Sequence, residues 1–192
     1  MKNQVTNILM IGVGGQGIIV ASEILADVLL HAGYDVKKSE IHGMAQRGGS
    51  VSTHLRFGPK VFSPLIPEGE ADILLAFEEL EALRYLHFLS SQPVIILNAE
   101  RLNPPSVALG IEAYPENVAE RLAARAKAFR PVAGKTLAIQ AGDARALNIV
   151  LLGTLSNFFS IPESNWTDPI LRHFPEKARA VNLKAFQLGR KI

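Results

Sequence analysis

The residues best suited to chemistry are glycines that follow an early apolar run. Gly12, Gly14 and Gly17 match the spacing G-x-G-x-x-G, with apolar residues 8–11 before them and apolar residues at helical spacing over 18–30 after them. A strand, a glycine turn and a helix N-terminus direct unpaired backbone N–H groups and a positive dipole end at one point, which suits a phosphate or another anion. In the alternative interpretation the glycines serve only a tight turn and close packing of the helix on the sheet. The expected cofactor-binding residues are Gly12, Gly14, Gly15, Gln16 and Gly17.

A second segment, residues 41–50, has no clean period and carries three glycines, which predicts a shaped loop or a short helix with a glycine end. Arg47 is flanked by small and flexible residues, and its guanidinium can reach a phosphate, a substrate carboxylate or an acidic patch on a partner. The alternative interpretation is a subunit-docking element. The residues expected at a partner or substrate junction are Glu40, His42, Met44, Gln46, Arg47, Gly48 and Gly49.

The pattern of the chain predicts an α/β fold of the three-layer α/β/α kind, with a Rossmann-like, mostly parallel sheet. Alternation over residues 51–57, followed by Gly58-Pro59 and residues 61–66, predicts an antiparallel hairpin. Further strands are predicted at residues 8–11, 34–40, 71–77, 94–98, 111–114 and 136–141, and helices at 18–30, 78–89, 116–129, 144–159 and 175–188.

Composition narrows the class of protein. A chain of 192 residues with 48% hydrophobic residues is long enough for one domain, expected over 1–192. The formal charge of +2 makes no case for nucleic acid, and no apolar stretch approaches the roughly 18 residues that a membrane helix needs. The chain has no cysteine, which excludes disulfides and thiolate ligation of zinc or an iron–sulfur cluster within it. We expect a cytoplasmic protein.

Four sequence blocks together resemble a known family. The chain is similar to the gamma-type subunit of 2-oxoacid:ferredoxin oxidoreductases, and within that family to the small subunit of the indolepyruvate type. The block over residues 40–51 is the specific one, because many unrelated nucleotide-binding proteins share the glycine turn. The blocks lie at residues 12–17, at 40–51, at Asn148 with 152–153, and at 182–190.

The resemblance implies a subunit of an enzyme that decarboxylates an aryl 2-oxoacid, passes two electrons to ferredoxin and delivers the acyl group to coenzyme A. It also implies that thiamine diphosphate and the 4Fe-4S clusters lie on a large alpha subunit, and the lack of cysteine in this chain agrees with that division. No cofactor is expected to be firmly bound by this chain alone. Coenzyme A can lie at the interface, with the helix N-terminus behind Gly17 as its anion site.

Two other hypotheses stay open at this point. Glu40 lies 23 residues beyond Gly17, close to where a dinucleotide-binding domain places its ribose-binding acid, so a freestanding NAD- or flavin-binding protein is one alternative. A purely structural assembly subunit is the other. The five histidines show no metal-ligand spacing, and neither a metal site nor a catalytic residue is expected in this chain.

Overall fold

A computed structural model of the chain describes residues 4–42, 49–111 and 113–192, with only the backbone described for His42, Pro105 and Ser106. In this part of the chain the strands are β1 (Thr6–Val13), β2 (Asp35–His42), β3 (Ser50–Gly58), β4 (Ala71–Ala76), β5 (Leu89–Asn98) and β6 (Ala128–Val132). The helices are α1 (Ile18–His31), α2 (Glu79–Arg84), α3 (Pro105–Ala108), α4 (Val118–Ala123), α5 (Gly134–Ala141), α6 (Leu147–Ser156), α7 (Glu163–His173) and α8 (Glu176–Arg190).

The strands of the described residues form one sheet in the order β2-β3-β1-β4-β5-β6. Strand β3 runs antiparallel to both of its neighbours, whereas the pairs β1–β4, β4–β5 and β5–β6 are parallel. Strands β2 and β3 lie on one side of β1 in the sheet, and β4, β5 and β6 lie on its other side. The crevice at the carboxyl ends of β1 and β4 is therefore the topological switch point, where open α/β sheets place ligands.

Side chains of β1 alternate between two apolar layers. Ile8 and Met10 pack into a core shared with α1, α5, α6, α7 and α8, which we call the first face. Leu9 and Ile11 pack on the opposite side into a core shared with α2 and α4, the second face. All four side chains are fully buried. The sheet thus lies between two helical layers, and the predicted three-layer α/β/α arrangement with a mostly parallel sheet is confirmed.

The predicted hairpin is wrong in its second arm. Residues 51–57 form a strand as expected, but β3 pairs with β2 and β1, and residues 61–66 form no strand. Their backbone groups bond to side chains instead, since the Val61 N–H donates to the Asp35 carboxylate at 2.9 Å and Arg56 donates to the Leu65 carbonyl at 3.0 Å. Strands β1 and β2, which α1 connects, are not neighbours in the sheet, because β3 lies between them.

The other errors lie after β4. The predicted strand at 136–141 is helix α5, and the predicted helix at 116–129 ends at Ala123 and is followed by β6. A strand is predicted at 111–114, but the described residues there, 111 and 113–114, form no strand. Helix α7 is absent from the prediction. Helix α2 stops at Arg84 and gives way to a 3-10 turn and then β5. Short apolar runs fit strand and helix equally well, which accounts for the exchange at α5.

Candidate functional site

The glycine turn, residues 12–17, links the end of β1 to the start of α1. Gly15 and Gly17 have φ values of 104° and 77°, a left-handed conformation that glycine adopts at little cost. Among the described residues, no atom beyond Gly15 and its two neighbours lies within 4 Å of the position that a Cβ on Gly15 would take. The first N–H groups of a helix have no partner within the helix, and α1 begins at Ile18, directly after this turn. A glycine turn ahead of a helix N-terminus is an arrangement that suits an anion.

The side chain of Gln16 holds the turn together from inside. Its Oε1 accepts a hydrogen bond from the Val13 N–H at 2.7 Å, and its Nε2 donates to the Phe77 carbonyl at 2.9 Å. Val13 ends β1 and Phe77 follows β4, so one amide ties the two strands at the switch point. Both polar groups of Gln16 thus have protein partners, and the side chain shapes the turn.

Close packing leaves no room for a side chain at two glycines of the turn. A Cβ on Gly12 would lie 2.7 Å from the Cβ of Phe77, and one on Gly17 would lie 2.8 Å from the Nδ2 of Asn148. That Nδ2 donates to the Gly17 carbonyl at 3.2 Å, so Asn148 of α6 supports the start of α1. The sequence marks Asn148 as part of a family block, and the structure supplies its role.

Asn98 adds a buried polar support that sequence reasoning missed. It ends β5 and is fully buried. Its Nδ2 donates to the Phe77 carbonyl at 2.9 Å, and its Oδ1 accepts from the Gly134 N–H at 3.2 Å. The only signal in the sequence is a polar residue that closes a buried parallel strand. Asn98 ties β4 to the start of α5 beside the turn.

A cleft of about 480 Å³ lies against the glycine turn. Lys135 of α5 lies 3.6 Å from the Glu100 carboxylate, and Arg145 is bonded to Asp143 through both carboxylate oxygens. Hydrogen bonds from Arg145 hold the pKa of Asp143 below its usual range. Each of the two cations thus has an acid beside it, and the N-terminus of α1 adds a positive dipole end to this cleft. The lining includes Gly15, Gly17, Val20, Glu100, Lys135 and Arg145.

A buried carboxylate, that of Glu78, lies at the start of α2, which packs on the second face. Glu78 is 1% exposed and accepts hydrogen bonds from the Tyr114 hydroxyl at 2.7 Å and from the Leu102 N–H at 3.1 Å. Burial, together with the hydrogen bond to Glu78, raises the pKa of Tyr114. The other carboxylate oxygen of Glu78 accepts a hydrogen bond from the Glu81 N–H at 2.9 Å and caps α2. Glu78 thus ties α2 to the segment that holds Leu102 and Tyr114.

The structure brings the two predicted site blocks into contact. The Gly14 N–H donates to the Gly49 carbonyl at 2.8 Å, so the glycine turn is bonded to the residue before β3. The side chain of His42 and all of Met44, Gln46, Arg47 and Gly48 lie outside the described residues.

Glu40 lies away from the turn. Its carboxylate pairs with Lys38 on the same strand, and the Lys38 Nζ also donates to the Ser22 hydroxyl at 3.3 Å. Because β3 lies between β2 and β1, Glu40 is separated from β1 by two strand spacings, about 10 Å. A ribose-binding acid in a dinucleotide site belongs on a strand next to β1, and Glu40 does not have that position.

The part of the chain that the structure describes contains no group of three or more histidines and carboxylates placed to hold a metal ion. No helix in it has the length and apolar character to cross a membrane.

The fold and the turn define the class: a doubly wound α/β protein with a glycine-rich turn at the switch point. The family model described as pyruvate ferredoxin/flavodoxin oxidoreductase matches residues 7–192, and the chain belongs to this family. The resemblance found in the sequence is confirmed.

Curated relatives share most of the chain. It is 39% identical over 191 residues to "Indolepyruvate oxidoreductase subunit IorB" of Thermococcus kodakarensis. That match covers 95% of this chain and 93% of the relative. It is 41% identical over 187 residues to the protein of that name from Archaeoglobus fulgidus, with 95% and 92% covered. These relatives support an oxidoreductase subunit over a freestanding NAD- or flavin-binding protein.

Solved structures share the fold. The gamma subunit of a keto/oxoacid ferredoxin oxidoreductase from Geobacter sulfurreducens superposes with a TM-score of 0.72 at 22% identity, covering 97% of this chain and 96% of that one. A 2-oxoglutarate:ferredoxin oxidoreductase from Magnetococcus marinus, with 2-oxoglutarate, coenzyme A and succinyl-CoA bound, gives a TM-score of 0.75 at 21% identity. There the match covers 98% of this chain and 31% of that chain.

Proposed function

We propose that this chain is the small subunit of an indolepyruvate:ferredoxin oxidoreductase and that it works only together with a large alpha subunit. The observation that carries the proposal is the identity of 39–41% over 95% of the chain to relatives named for that subunit. The alpha subunit would hold thiamine diphosphate and the 4Fe-4S clusters. The chain has no cysteine and cannot ligate such a cluster through thiolates. A reducing cytoplasm fits the same composition.

In this proposal the complex decarboxylates an aryl 2-oxoacid, passes two electrons to ferredoxin and joins the acyl group to coenzyme A. The experiment is to co-express the chain with its alpha subunit and to follow reduction of a viologen dye or ferredoxin by indolepyruvate and coenzyme A. We expect turnover from the complex and little from the folded alpha subunit alone, with pyruvate and 2-oxoglutarate as comparison substrates.

Two results would contradict this proposal. Full turnover by the alpha subunit alone would make the chain a structural assembly subunit. Tight binding of a nicotinamide or flavin by the chain alone, without the partner, would favour the freestanding alternative. A complex that prefers another 2-oxoacid would keep the subunit role and change the substrate.

We also propose that the glycine turn binds a phosphate of coenzyme A at the subunit interface. Coenzyme A carries a pyrophosphate and a further phosphate, and helix N-termini with open glycine turns bind such groups. Three features support the proposal: Gly15, whose Cβ position no described residue fills, the left-handed Gly17 that precedes α1, and the adjoining cleft of about 480 Å³.

Lys135 provides a first test, because its ammonium group lies on the rim of this cleft. In Lys135→Gln the loss of one exposed charge should raise the KM for coenzyme A about fivefold in the assembled complex. Lys127→Gln is the matched control, since Lys127 is exposed and precedes β6, at the end of that strand away from α5. Equal KM values for the two variants would contradict a phosphate beside Lys135.

A further inference from the structure

The end of β3 nearest the glycine turn is held by a buried carboxylate on α2. Ser50 begins β3, and its hydroxyl donates to Oε2 of Glu81. The hydroxyl of Tyr85 lies 3.5 Å from the same Ser50 oxygen. Glu81 is 4% exposed and Ser50 is partly exposed, so this hydrogen bond is partly buried. Hydrogen bonds to a carboxylate are among the stronger hydrogen bonds in proteins.

Glu81 is itself fixed at both ends. Its backbone N–H donates to the Glu78 carboxylate at 2.9 Å, which caps α2. Its Oε1 accepts a hydrogen bond from Arg84 at 3.0 Å. These bonds fix the position of the Glu81 carboxylate, and the carboxylate in turn fixes the position of the Ser50 hydroxyl.

A short chain of contacts links Ser50 to the glycine turn. Ser50 pairs with Val13 in the last rung of the β1–β3 ladder. The carbonyl of Gly49, one residue before, accepts the Gly14 N–H at 2.8 Å. A shift of Ser50 therefore moves the acceptor that fixes Gly14, next to Gly15.

We propose that Glu81 is a positioning residue for the glycine turn, acting through Ser50 and Gly49. Glu81 does not touch the ligand, and its effect is on the orientation of the N–H groups that bind phosphate. This inference rests on the proposed binding of coenzyme A at the turn. A site that depends on orientation loses affinity when its support shifts by a fraction of an ångström.

The test is steady-state kinetics of the assembled complex with Ser50→Ala and Glu81→Ala. Each variant removes one partner of the hydrogen bond, and each should raise the KM for coenzyme A about fivefold. We expect kcat and the KM for indolepyruvate to stay within about twofold of the wild type, because the chemistry would lie on the alpha subunit.

Conservative variants separate positioning from support of the fold. Ser50→Thr keeps a hydroxyl donor and Glu81→Gln keeps an acceptor oxygen, so both should return the KM for coenzyme A to the wild-type value. If Ser50→Ala does not assemble, Ser50→Cys keeps the size with a weaker donor and should raise the KM by a smaller factor. Alanine variants that lower the Tm and leave the KM for coenzyme A unchanged would overturn the proposal.

Gly15→Ala in the same series separates this inference from the function on which it rests. If Gly15→Ala raises the KM for coenzyme A and Ser50→Ala does not, Glu81 is not a positioning residue and the binding site stands. If neither Gly15→Ala nor Lys135→Gln raises it, the site at the turn is refuted, and the role of Glu81 with it.

Discussion

Two regions of this protein require glycine for opposite reasons. At the glycine turn, Gly15 and Gly17 have positive φ values, and none of the described residues fills the Cβ position of Gly15. Where α6 crosses α8, a Cβ on Gly153 would overlap the carbonyl of Phe186, and one on Gly189 would overlap the carbonyl of Val150. The turn uses glycine to shape and expose its backbone, whereas the crossing uses it to bring two helix backbones into contact.

The difference shows that a family block is not always a binding site. Residues 152–153 and 182–190 belong to the blocks that carry the resemblance, and the structure places Gly153 and Gly189 in one helix crossing. The Thr154 hydroxyl donates to the Gly189 carbonyl across this crossing at 3.0 Å. Every residue of α6 is buried, so this block stabilises the first face. The block at residues 12–17 forms the candidate site.

The largest effect is expected at the crossing. Gly153→Ala inserts a methyl group against backbone that cannot rotate away, and overpacking of this kind costs about 3 kcal/mol. For a chain of this length the Tm should fall by roughly 6–12 °C, measured by calorimetry, with the KM for coenzyme A unchanged in complexes that assemble. Gly189→Ala should behave alike. A Tm within 2 °C of the wild type would show that the helices separate easily, in disagreement with the packing.

A smaller loss of stability is expected from a matched pair of left-handed glycines. Gly15 and Gly33 have φ values of 104° and 85°, and neither has an atom within 4 Å of a Cβ position. Alanine at either site should cost about 1–2 kcal/mol in backbone strain, measured by urea unfolding. A cost at Gly15 equal to that of Gly153→Ala would contradict the division between conformational and packing glycines.

The smallest effect concerns His54, which lies outside both glycine regions. His54 is buried in β3, and its Nδ1 accepts the Ile66 N–H at 3.0 Å, which requires that nitrogen to be unprotonated. Burial lowers the pKa of His54 below its usual value of 6.5. The unfolded chain then binds a proton that the folded chain does not, and stability falls as the pH drops below 6.5.

The free energy of unfolding should therefore decrease by about 1 kcal/mol between pH 7.5 and pH 5.5, followed by urea titration. His54→Asn keeps an acceptor for Ile66 and should lose this part of the pH dependence. An identical pH profile for His54→Asn and the wild type would show that His54 does not titrate as described.

The glycine turn and α1 were predicted well because their signals are local. A buried strand, glycines at fixed spacing and a helical repeat follow one another, and α1 begins at Ile18 as expected. The position of β3 was not predictable in the same way. Alternation identifies a strand, but the choice of neighbours depends on side chains far along the chain, such as Asp35 and Arg56, which bind the segment at 61–66.

The supporting shell of the site was beyond sequence reasoning for a related reason. Glu81 and Asn98 have roles only because folding places Ser50 and Phe77 next to them. In the sequence, Glu81 belongs to an acidic first turn, which a helix dipole favours by itself. Burial converts such residues from surface groups into fixed partners, and burial is a property of the whole fold.

The most direct test of the account is the KM for coenzyme A in the assembled complex, measured side by side for Gly15→Ala and Gly33→Ala. Both variants carry similar backbone strain, but Gly15 borders the proposed phosphate site and Gly33 follows the opposite end of α1. We expect Gly15→Ala to raise the KM about tenfold and Gly33→Ala to leave it within twofold. Equal KM values for the two variants would contradict a coenzyme A site at the glycine turn.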